Sequence, residues 1–171
     1  MKTLYVLRHA KSSWDEAGLS DFDRPLNKRG TTTAPFMGET MASNGFEPDV
    51  IVSSPAVRAR ETSQLVKEAA RMTVDIIFDE RIYEASARTL QLVASSIDDR
   101  FESAMIVGHN PGMEGLIRLL TGKSEEMPTA ALAIIDLDIE HWNEIDSGLG
   151  ELRRIIRPKE EMKLEKRDQR K

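Results

Sequence analysis

The 171-residue sequence has no cysteine, three histidines and few aromatic side chains, namely two tryptophans, two tyrosines and five phenylalanines. Without cysteine there is no disulfide, no thiol nucleophile and no thiolate metal site, which agrees with a reducing cytosol. No apolar run approaches the roughly 20 residues that cross a bilayer. The first residues include Lys2 but lack a long apolar core or a small-residue cleavage site, so no secretory leader is expected. A net charge of −5 and the scarcity of aromatics argue against nucleic-acid binding. These absences lead us to expect a cytoplasmic protein with neither a membrane nor a nucleic-acid partner, and they leave its oligomeric state open.

The length suits one domain with a substantial core. Short runs rich in β-branched residues recur at 3–7, 49–54, 74–78, 103–108 and 131–137, with a weaker run, "ELRRII", ending before Pro158. Segments of helical spacing separate them. Ala59, Thr62 and Val66 share one side of the first such segment, and Leu90, Val93 and Ile97 one side of another. "GMEGLIRLLTG" is closed by Gly122, and a helix is expected from about Pro35 to Ser43, ended by Asn44–Gly45. The alternation reads as α/β: a mostly parallel central sheet flanked by helices on both faces. The runs at 50–52 and 104–107 suit central strands, and the two last runs read as a hairpin at an edge. Residues 1–157 form the expected domain, and the highly charged segment 158–171 reads as a solvated or frayed tail rather than a binding arm.

Ligands of open α/β sheets bind beyond the carboxyl ends of the strands, and that is where the reactive residues of this chain fall. In "VIVSSPAVRARET", Ser54 and Pro55 suit the start of a helix, whose free N–H groups and dipole attract an anion. Arg58 lies near enough to reach back to that anion, whereas Arg60 points roughly 200° away around the helix. "VGHNPG" projects His109 from another strand end as a donor to a phosphate or to developing negative charge. "LYVLRHAKSSW" sets Arg8 beside His9, and the two converge only if the strand ends near Leu7 and the chain turns. A neutral imidazole nitrogen is a capable phosphoryl acceptor once its other nitrogen is held by a hydrogen bond and cations offset the phosphate charge.

Together "LRHAKS", "SSPAVRARET" and "VGHNPG", with "RPLNKRG" in support, resemble the histidine phosphatase superfamily, whose fold is phosphoglycerate-mutase-like. The resemblance spans about residues 1–137. The short chain and the "RHAKSSW…DRPLNKRG" spacing are most similar to the small SixA-type phosphohistidine phosphatase branch. It implies that His9 is the phosphorylated nucleophile, that Arg8, Arg58 and His109 form the phosphate pocket, and that no metal and no organic cofactor takes part. In "DERIYEAS", Glu84 is the residue matching the general acid, with Asp79 and Glu80 behind it, and an acid there needs a raised pKa. Ala10 and Asp15 stand where the mutases carry glycine and asparagine, and an ionised Asp15 cannot donate to phosphate. Lys11 and Ser12 are further contacts from the same loop.

The implied activity is a metal-independent phosphatase whose expected substrate is phosphohistidine in a protein. The alternatives are a broad small-molecule phosphomonoesterase or mutase, and a phosphoprotein-binding module without turnover. The insertions that enclose a sugar phosphate in larger mutases are missing, which fits a phosphate carried on a protein side chain. His141, in "DIEHWNEID", reads as unrelated to the chemistry, and a zinc site joining it to His9 and His109 has no compact ligand spacing. Trp14 reads as a core or loop anchor.

Overall fold

The computed structural model describes all 171 residues. Six strands, β1 (Lys2–Arg8), β2 (Ile51–Ser53), β3 (Ile76–Phe78), β4 (Ser103–Gly108), β5 (Leu132–Leu137) and β6 (Gly150–Ile156), form one sheet in the order β3-β2-β4-β1-β5-β6. The β3–β2, β2–β4 and β4–β1 pairs are parallel, and β5 and β6 run antiparallel beside β1 as the expected edge hairpin. Five helices cover it: α1 (Lys28–Ser43), α2 (Val57–Ala69), α3 (Ala87–Ser95), α4 (Gly112–Thr121) and α5 (Pro158–Gln169).

The sheet divides the core in two. One cluster packs Leu90, Val93, Met113 and Leu116 of α3 and α4 under Leu4, Val6 and Ile106. The other packs Met37, Met41, Ala59 and Val66 of α1 and α2 on Leu7, Ile51 and Met105. Successive residues of β1 and β4 thus face opposite clusters, which explains runs that are apolar without alternation. Burying side chains of this size contributes roughly 1.5–3 kcal/mol each before chain entropy is subtracted.

Several boundaries depart from the sequence expectation. α1 begins at Lys28 rather than near Pro35, because the Asn27 side chain caps it by accepting from the Gly30 N–H, and Pro35 sits inside the helix. α2 begins at Val57 with Ala56 as its cap; Ser54 Oγ accepts from the Ala56 N–H and meets His109 instead of capping the helix, and Arg58 is the second helical residue. α3 stops at Ser95, yet Ile97 still packs on the core. The segment after Arg157 is not a frayed tail: Pro158 starts α5, with Glu160 and Glu161 in the first turn and Lys166 and Arg167 in the last, the arrangement the helix dipole favours. α4 ends as expected at Gly122, which adopts φ 74°, where a Cβ is penalised.

Candidate active site

β1 runs one residue further than expected, through Arg8 paired with Gly108. His9 is the first residue beyond it, and its N–H donates to the Gly108 carbonyl at 3.0 Å. The turn that follows is fastened from three sides. The Ala10 N–H donates to Thr62 Oγ1 at 2.9 Å, the Asn27 N–H to the Lys11 carbonyl, and the Ala130 N–H to the carbonyls of Arg8 and His9. Thr62 thus holds the His9 turn as well as filling its place on the buried side of α2.

The His9 ring is buried, and its Nδ1 lies 2.7 Å from the Ala10 carbonyl. A carbonyl only accepts, so the ring proton resides on Nδ1 and the lone pair on Nε2. Burial lowers the His9 pKa from 6.5 to about 3 against the Ala10 hydrogen bond, and the positive charges of Arg58 and Arg8, with that of His109 when it is protonated, push in the same direction as burial. The imidazole is therefore neutral at physiological pH.

His109, just past β4, sets its ring centroid 5.1 Å from that of His9. Its Nε2 meets Ser54 Oγ at 2.8 Å, and Ser54 Oγ also accepts from the Ala56 N–H. Burial, then Arg58, lowers the His109 pKa to about 4. Arg58 directs NH1 to the Asp21 carbonyl (2.7 Å) and NH2 to the Asp21 carboxylate (3.1 Å), while Arg8 directs NH1 to the Met127 carbonyl (3.1 Å). The only buried side-chain nitrogens or oxygens without a partner in the chain are Arg8 Nε, Arg58 Nε and His109 Nδ1. Buried polar atoms are nearly always paired, so three unpaired nitrogens from one small region are chemically informative. Two are cationic donors, and all three suit an anion with several oxygen acceptors.

The four residues expected around an anion, Arg8, His9, Arg58 and His109, thus come from the carboxyl ends of three adjacent strands, β2, β4 and β1, and the segments that follow them. Glu84, the residue after Tyr83, is exposed, adopts φ 55° and makes no side-chain hydrogen bond. His141 lies elsewhere, against Asp99, and Lys11 is exposed. Ser12 accepts from Arg24 at 2.8 Å rather than facing the anion site. Trp14 is 73% exposed, so it is no core residue, and its ring stacks on the Arg24 guanidinium at 3.4 Å.

Sequence reasoning missed the group that closes the site. Asp21, in a short 3-10 turn (Asp21–Asp23), binds Arg58, accepts from Arg24 at 3.1 Å and receives the Tyr83 hydroxyl at 2.6 Å. The Tyr83 bond and Arg58 hold its carboxyl at about 2, and the same bond pushes Tyr83 up to about 12. The Tyr83 ring meets His109 edge-on at 5.6 Å. Only Arg24, in the supporting "RPLNKRG" motif, gave a sequence signal for this group.

A family model described as histidine phosphatase superfamily (branch 1) matches residues 4–106, more than half the chain. This chain belongs to the histidine phosphatase superfamily. It is an enzyme of that class, with the fold of its SixA-type branch. An uncharacterized chloroplastic protein of Arabidopsis thaliana is 32% identical to this histidine phosphatase over 152 residues, 84% of this chain and 70% of the relative. The structure of a protein assigned as phosphohistidine phosphatase SixA from Agrobacterium tumefaciens superposes with a TM-score of 0.78 at 32% identity, covering 92% of this chain and 98% of that one. A protein histidine phosphatase SixA complexed with tungstate superposes at 0.79 with 19% identity, over 92% and 98% of the two chains, and shows the shared fold.

Proposed function

We propose that this histidine phosphatase removes the phosphoryl group from phosphohistidine in a protein, through a phosphorylated His9 and without a metal ion. The observation that carries the reading is the fixed tautomer of His9 beside the three unpaired nitrogens of Arg8, Arg58 and His109. In the first step His9 Nε2 attacks phosphorus, a new N–P bond forms, and the N–P bond to the substrate imidazole breaks. In the second, water attacks phosphorus, the bond to Nε2 breaks, and inorganic phosphate leaves with the proton balance closed by solvent. Arg8 and Arg58 supply the positive charge a metal would bring, already oriented before charge develops. In this reading the Ser54 hydroxyl donates to His109 Nε2, which leaves the ring proton on Nδ1 as the third donor.

The substrate class follows from the leaving group. Asp21 is held at about 2 and gives up no proton near neutrality, and Glu84 is exposed. An alkoxide leaves poorly without a well-placed acid, whereas an imidazole protonated on its far nitrogen leaves neutral and needs little help. Glu84 remains the proposed acid for any demanding leaving group, to be judged by the effect of Glu84→Gln.

The test is phosphate release from a phosphohistidine-bearing protein and from p-nitrophenyl phosphate, for wild type and His9→Ala, with and without chelator. Chelator-resistant turnover that disappears in His9→Ala is expected, with the phosphoprotein the better substrate. Turnover that survives in His9→Ala, or stops with chelator, overturns the mechanism. Phosphate binding that depends on Arg58 without turnover of either substrate would mark a binding module instead.

A further inference from the structure

The antiparallel hairpin brings a second basic surface to the same end of the sheet as the site. Leu132 of β5 pairs with Leu7 of β1, and Ile156 of β6 pairs with Leu132, so Arg157 and the start of α5 emerge beside the carboxyl end of β1. There α5, the first turns of α1 and the 128–129 turn enclose a groove of about 400 Å³. Its walls belong to the site's own framework: Lys11 lies two residues after His9, and the 127–130 segment holds Arg8 and His9 through its backbone.

The groove is lined by Lys11, Arg29, Arg157, Lys159 and Lys163 against a single carboxylate, Glu160. Arg157 is paired with Glu125 at 3.0 Å, but Lys11, Arg29, Lys159 and Lys163 form no ion pair within the chain. Lys159 and Lys163, four residues apart, rise from one side of α5. In a chain of net charge −5, such a concave cluster of uncompensated cations is a local reversal of sign. A cation cluster beside a catalytic opening speeds encounter with a partner of opposite charge and fixes its orientation.

We propose that this groove docks an acidic segment of the phosphorylated protein whose phosphohistidine enters the site, an inference that rests on the function proposed above. The acidic side chains sit against Lys159, Lys163 and Arg29 while the phosphoryl group reaches Arg8 and Arg58. The contact acts on substrates large enough to span both places and leaves small phosphoesters untouched.

Two phosphohistidine peptides of equal length, one flanked by glutamates and one by glutamines, test this beside p-nitrophenyl phosphate, with wild type and the exposed double variant Lys159→Glu/Lys163→Glu. For wild type at low ionic strength kcat/KM should favour the acidic peptide by about tenfold, and salt should erase most of that preference. In the double variant the preference should vanish or invert while p-nitrophenyl phosphate turnover stays unchanged. Equal rates of wild type on the two peptides, or a preference that survives in the double variant, overturns the proposal. So does binding of anionic vesicles or DNA that depends on Lys159 and Lys163 without peptide discrimination. Hydrolysis of p-nitrophenyl phosphate with neither peptide turned over removes the phosphohistidine reading itself, and the groove proposal with it.

Discussion

Asp21 grips Arg58 twice, accepting from NH1 with its backbone carbonyl and from NH2 with its carboxylate, so that only Nε of the guanidinium is left unpartnered. An exposed loop residue thereby decides how a buried arginine presents itself. Asp21→Ala frees NH2 while the backbone carbonyl that holds NH1 stays, and two effects oppose each other. Removing a carboxylate raises the local positive potential, which favours phosphate, but Arg58 loses the charged contact that helps to aim it. A hydrogen bond between charged groups is worth about 1.5–3 kcal/mol, more than one screened charge half in solvent, so loss of aim prevails. We expect kcat/KM on p-nitrophenyl phosphate to fall about tenfold. Steady-state kinetics check this, and an unchanged or raised value contradicts it.

The His9 tautomer makes a second expectation. Because Nδ1 is tied to the Ala10 carbonyl, Nε2 alone can accept the phosphoryl group. A rapid quench of wild-type enzyme on p-nitrophenyl phosphate should trap an acid-labile, base-stable phosphoramidate on His9, and His9→Asn should trap none. A trapped acid-stable ester would assign the transfer to another residue.

The buried histidines also make stability depend on pH. Both have pKa values lowered by burial, to about 3 and about 4, so between those values and 6.5 the unfolded chain binds more protons than the folded one. Stability therefore falls as pH drops through that window and is flat in these groups above it. At pH 5 each histidine costs on the order of 2 kcal/mol relative to pH 8. Urea unfolding at the two pH values, without phosphate, measures this, and His109→Gln should remove about half of the difference. The same neutrality means that kcat/KM, which reports the free enzyme, should show no ionisation near 6.5 from His9.

Gly30→Ala tests the support of the His9 turn. Alanine is the better helix former by about 1 kcal/mol. A Cβ at this place, however, would lie 2.2 Å from the Lys11 carbonyl oxygen, which is backbone and cannot swing away. Either α1 or the 9–11 turn must shift, so we expect a net loss of roughly 1–3 kcal/mol with a fall in turnover. Denaturant unfolding together with the rate on p-nitrophenyl phosphate decides it, and a variant as stable as wild type counts against the close packing.

Much of this was legible from composition and spacing. Uninterrupted apolar runs at 50–52 and 104–107 mark strands buried on both faces, and Arg8–His9, Arg58 and His109 stand where such strands stop. Local chemistry suffices for that, since it depends on periodicity and on which residues end a run. The helical start at Asn27 and the helix after Pro158 were harder to read, because threonine runs and charged runs carry little periodic signal. What only the tertiary structure decided is how distant segments meet. Asp21 reaches Arg58 and Tyr83 across 37 and 62 residues of chain, and Ser54 reaches His109 across 55. Nothing local to any of these side chains encodes its partner. The parallel arrangement of the strands brings them together beyond the carboxyl ends of β2, β4 and β1, and there burial makes each unpaired polar atom costly enough to fix the arrangement.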